Sequence, residues 1–134
     1  MVTDIIDLNA RRRPRLPSVY EASERLLTAE IFDPSDPRFR HAFAVVMAAF
    51  RRRGSDLRED AGFMLTLASE LALQHCRADA VALMEACRDA GIYPTALKEA
   101  FRLVARDDWE AAWQEIGRAA LEVVPLSTQR DLHV

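Results

Sequence analysis

The sequence predicts an all-α protein, and three observations carry that prediction. Alanine supplies 22 of the 134 residues, against only four glycines and six prolines. β-branched residues are few, so helix formers dominate the chain. Apolar residues also recur at helical spacing in segment after segment, each bounded by capping or breaking residues. The architecture expected is five or six helices, packed as a bundle or as two adjacent helical hairpins. At 15.1 kDa the chain suffices for one modest core.

Residues 1–17 read as a basic N-terminal arm. Pro14 and Pro17 interrupt any helix, and Arg11, Arg12, Arg13 and Arg15 cluster without an apolar period. Ahead of them, Asp4-Ile5-Ile6-Asp7-Leu8 has the form of a short strand or a docking peptide. The ordered domain is expected over 18–124, and 125–134 reads as a C-terminal tail.

Ser18 and Glu21 form a capping box that opens a first helix, predicted to run to about Ile31. Asp36 then serves as N-cap and Pro37 as the first residue of a second helix ending at Arg53. In it Phe39, Phe43, Val46 and Phe50 fall within about 60° of arc, with His41, Ala44 and Arg51 on the opposite side. Gly54 is the expected stop. A third helix spans Ser55 or Asp56 to about His75. Its apolar positions, Leu57, Ala61, Phe63, Met64, Leu65, Leu67 and Leu71, cover roughly 200°, the mark of a central helix. Glu59, Asp60, Thr66 and Ser69 are left as its wet edge.

A fourth helix follows Arg77 and ends at Gly91, and a fifth begins at Pro94 and reaches about Arg106. Asp107 with Glu110 repeats the capping-box spacing and opens a sixth. Its residues Trp109, Trp113, Ile116, Ala120 and Val123 share about 80°, and Pro125 closes it. One internal echo, 46–54 against 83–91, suggests a pair of helix-glycine-helix units.

Net charge is −3, divided as +2 on residues 1–17 and −5 on the remainder. A weakly acidic body is not the footprint of a dedicated nucleic-acid binder. No apolar run reaches the roughly 18 residues of a membrane span, and residues 1–17 lack the pattern of a secretory signal. Cys76 and Cys87 would lie about 16 Å apart along a helix, beyond disulfide reach. Two free thiols point to a reducing cytoplasm. Lys98 is the only lysine among 18 basic residues, which points to the codon usage of a GC-rich bacterial genome.

Catalysis needs clustered polar groups, and the sequence offers no glycine-rich phosphate loop, nucleophile elbow or zinc spacing. His75, Cys76 and Asp79 are the one compact group of ligand-type residues; His75 is expected on the apolar stripe of the third helix. The expectation is therefore a non-enzymatic protein with no catalytic residue, cofactor, metal or small-molecule substrate. The function expected is that of a small bacterial adaptor or regulator acting through protein–protein interaction, with a homodimer as one form. Trp109 and Trp113, one turn apart, either close the core or anchor a partner.

The alternative is a helix-turn-helix DNA-binding regulator using residues 83–102. Ala86, Cys87, Ala90, Gly91, Ile92, Leu97 and Ala100 occupy the small, turn and locking positions of that motif. Tyr93, Thr95, Lys98, Glu99 and Arg102 would face DNA, with Arg11, Arg12 and Arg13 as an auxiliary clamp.

Overall fold

The computed structural model describes residues 19–28, 32–53 and 58–123. They form six α-helices and, among the described residues, no strand: α1 (Val19–Thr28), α2 (Pro37–Arg53), α3 (Arg58–Leu73), α4 (Arg77–Asp89), α5 (Thr95–Ala105) and α6 (Trp109–Glu122). The arm 1–17, the tail 125–134 and the expected boundaries at Ser18, Ile31, Gly54, Ser55 and Pro125 lie outside the described residues.

The start of α2 follows from its turn chemistry. The Asp33 carboxylate accepts the Ser35 amide at 2.9 Å and the Ser35 hydroxyl at 2.6 Å. Asp36 accepts the Arg38 amide at 2.8 Å, as an N-cap should, with Pro37 at the first helical position. Phe39, Phe43, Val46 and Phe50 are all buried. The rings of Phe39 and Phe43 stack at 5.8 Å.

α3 is the central helix, packed against α1, α4 and α6, while α2 packs on α1 and α5 on α6. Ala61, Met64, Leu65, Leu67, Ala68, Leu71 and Ala72 are buried along it. Its wet edge is narrower than the sequence suggests. Asp60 and Ser69 are buried and Phe63 is exposed, because α6 covers the Ser69 side. Ala112, Ala119, Ala120 and Gly117 keep α6 slim there. The Ser69 hydroxyl donates to the Trp113 carbonyl at 2.7 Å. A Cβ on Gly117 would stand 3.4 Å from that same hydroxyl oxygen. The arrangement is a bundle around α3, and the helix pairs suggested by the internal echo do not form: α2 turns to α1, and α4 to α3. A stripe as wide as that of α3 takes neighbours on three sides, which leaves no reason for independent hairpins.

Three successive helices end in one hydrogen-bond pattern, the Schellman motif. After α3, the Cys76 amide donates to Leu71 O and that of His75 to Ala72 O. Ile92 and Gly91 repeat this on Cys87 and Arg88, as do Asp108 and Asp107 on Leu103 and Val104. The residue at the left-handed position is His75 (φ 66°), Gly91 (φ 82°) and Asp107 (φ 59°) in turn. Two expectations change as a result. His75 leaves the apolar stripe and is exposed, because the helix has already ended at Leu73. Asp107 closes α5, and Asp108 is the N-cap of α6, accepting the Ala111 amide at 3.3 Å.

Candidate functional site

A groove of about 540 Å³ opens between α1 and α2. Ala22 and Arg25 of α1 and Pro37, Arg38, His41, Ala42 and Val45 of α2 line it. The geometry follows from helical spacing. The main apolar stripe of α2 turns toward the core, and its flank repeats at i, i+3, i+4 and i+7 as Arg38, His41, Ala42 and Val45. Ala42 and Val45 stay half-buried, and Arg25, Arg38 and His41 are exposed. The result is an apolar floor rimmed by the Arg25 and Arg38 guanidinium groups and the His41 imidazole. Arg38 shares its guanidinium with Asp36 at 2.8 Å, and that contact holds the Asp36 carboxyl below the usual carboxylate range. Arg25 and His41 carry no hydrogen bond or ion pair among the described residues. The neighbouring carboxylates Glu21 and Glu24 are already engaged.

Sequence reading missed this site. It places His41 on the surface, which is correct, but treats α2 as having a single inward stripe. The spacing of Arg38, His41, Ala42 and Val45 was the available signal.

The segment proposed to face DNA is exposed as expected: Tyr93, Thr95, Lys98 and Arg102 all reach solvent. The charges of Lys98 and Arg102 are nevertheless engaged within the molecule. Lys98 Nζ lies 5.3 Å over the Tyr93 ring, and Tyr93 meets Phe101 edge-on at 6.0 Å. Arg88 covers Phe101 at 4.9 Å, and Arg102 pairs with Glu99 at 3.0 Å. α5 packs chiefly on α6, and its contacts with α4 are sparse, whereas a helix-turn-helix locks its second helix onto its first. Arg11, Arg12 and Arg13 lie outside the described residues.

Trp109 and Trp113 are both half-buried against the core. The Arg77 guanidinium sits 5.4 Å over the Trp109 ring and reaches Asp107 at 3.7 Å. Among the candidate ligands, Asp79 pairs with Arg40 at 3.4 Å. The Cys76 thiol donates to the Phe32 carbonyl. Burial, helped by Asp79 and Asp33, raises the Cys76 thiol above the ordinary range, and burial pushes Cys87 up to about 12. Both cysteines are free and buried. Among the described residues, no three His, Cys, Asp or Glu side chains gather closely enough to hold a metal ion, and no helix is long and apolar enough to cross a membrane.

No protein-family model, curated protein or solved structure matches the chain.

Proposed function

We propose that this protein is a small non-enzymatic adaptor that binds another protein through the α1–α2 groove. The observation that carries the reading is the composition of that groove: Ala22, Ala42 and Val45 beneath Arg25 and His41, two basic side chains with no hydrogen bond or ion pair among the described residues. An apolar floor recognises one or two aliphatic side chains, and the rim favours carboxylates beside them. The partner segment is therefore short, aliphatic and flanked by Asp or Glu. A reducing cytoplasm suits the reading, since Cys76 and Cys87 remain thiols there.

Affinity capture with the wild-type chain, Val45→Glu and Arg25→Glu tests this. The expected result is a protein enriched by wild type and depleted at least about tenfold by both variants, a loss of roughly 1.4 kcal/mol or more. A peptide copied from its acidic–aliphatic segment should then bind wild type and not the variants. Arg25 is exposed, so its substitution leaves the core intact even if Val45→Glu lowers the melting temperature. An identical set of captured proteins from all three chains would overturn the proposal.

A further inference from the structure

The groove and the N-terminal segment complement each other. Asp4-Ile5-Ile6-Asp7-Leu8 presents three aliphatic side chains interleaved with two carboxylates. The groove presents Ala22, Ala42 and Val45 together with Arg25 and His41. We infer that residues 4–8 of this chain are themselves a ligand of the α1–α2 groove and occupy it within the same molecule, so that a partner must displace them. The inference rests on the groove being a peptide-binding site, as proposed above.

Length permits the arrangement. The α2 part of the lining runs from Pro37 to Val45, about 12 Å of helix at 1.5 Å per residue. Five extended residues cover about 16 Å, enough to lie along it. The ten residues between Leu8 and Val19 can span at most about 35 Å. Ala22 is one helical turn from Val19, about 4.5 Å along the axis, so the connection has slack to spare. A tether this short gives an effective concentration on the order of millimolar, which favours the same molecule over a second copy.

Charge supports the same pairing. Residues 1–17 are basic as a whole, but the positive charge is confined to Arg11–Arg15, and residues 1–10 carry Asp4 and Asp7 with no Lys or Arg. The segment that meets the Arg25 guanidinium is thus the acidic part of the arm. Arg11–Arg15 would then lie along the connection, outside the groove.

A fluorescein-labelled peptide of residues 1–10 tests the inference by anisotropy against the full-length chain. In the Ile5→Ser/Ile6→Ser/Leu8→Ser variant the groove is vacated, and the peptide should bind at least about tenfold more tightly than it binds wild type. Adding Arg25→Glu to that triple variant should abolish the gain. Equal binding to wild type and the triple variant overturns the inference, as does the absence of binding to both. A wild-type dimer in sedimentation that the triple substitution dissolves overturns it as well, because the segment would then be exchanged between copies. Failure in any of these ways leaves the capture experiment with Val45→Glu and Arg25→Glu standing, so the adaptor reading and this one fail separately.

Discussion

Ser69 and Ser23 are both buried, yet their hydroxyls fare differently, and they belong to helix pairs built in different ways. Ser69 of α3 donates to the Trp113 carbonyl of α6 at 2.7 Å. Ser23 of α1 has no hydrogen-bond partner among the described residues. Ala68 and Ala72 of α3 and Ala112, Ala119 and Ala120 of α6 are buried, and Gly117 comes so near that a Cβ there would stand 3.4 Å from the Ser69 hydroxyl, so a side-chain hydroxyl can reach a backbone carbonyl across the α3–α6 contact. The α1–α2 side is filled by Leu26, Phe39, Phe43 and Phe50, all buried, and beside these large side chains a groove remains. Small residues bring helices together until nothing fits between them. Large ones fill a core and leave a margin that a ligand can use.

The sharpest test of that contrast is truncation. Leu71, fully buried on α3, should cost about 2–5 kcal/mol when changed to Ala, because a cavity remains in a close-packed region. Val45→Ala on the groove floor should cost less than about 1 kcal/mol, since Val45 is already half open to solvent. Urea denaturation of the two variants measures both. Comparable losses would mean that the groove belongs to the core and the contrast fails.

Helix ends sharpen it at a lower level. Gly91→Ala should lose about 1–2 kcal/mol, all of it conformational, since nothing lies within 4 Å of a Cβ placed there. His75→Gly and Asp107→Gly should gain about 0.5–1 kcal/mol, as relief from the left-handed conformation exceeds the added entropy of the unfolded chain. Thermal melts showing a loss for all three would indicate that the His75 and Asp107 side chains hold the turns by contacts of their own.

At the serines the expected effects are modest and of opposite sign. Ser69→Ala should destabilise by about 1 kcal/mol through its lost hydrogen bond. Ser23→Ala should stabilise by about the same amount, because it removes a buried hydroxyl that has no partner. Matching signs in chemical denaturation would erase the distinction between the two regions.

What the sequence reveals and what it hides can be traced to particular residues. α2 is legible to the residue, since Asp36 and Pro37 announce its start and the aromatic period its inner face. The end of α4 is legible because the left-handed residue is glycine. The same turn after α3 and α5 is hidden, because His75 and Asp107 adopt a conformation that their residue types seldom take and only the 71–76 and 103–108 backbone bonds explain it. The burial of Ser69 escapes a polarity-based reading for the same kind of reason: α6 decides it from more than 40 positions away, as the 44-residue separation of Ser69 and Trp113 illustrates. At the groove, the spacing of Arg38, His41, Ala42 and Val45 is visible in the sequence. That α1 leaves this flank uncovered is a tertiary fact. The exposure of Lys98 and Arg102 is likewise legible, but not the Tyr93 ring and the Glu99 carboxylate that engage them.

The bond from Ser69 to Trp113 also has a meaning in time. It joins residues 44 positions apart, and closing a loop of that length costs about 3 kcal/mol of chain entropy before any contact across it forms. The loop it closes contains all of α4 and α5 and none of α1 or α2. Once α3 and α6 have met, everything between them is confined, while the first two helices add to a surface that already exists. Their packing therefore lies outside the loop, and neither helix is enclosed by it.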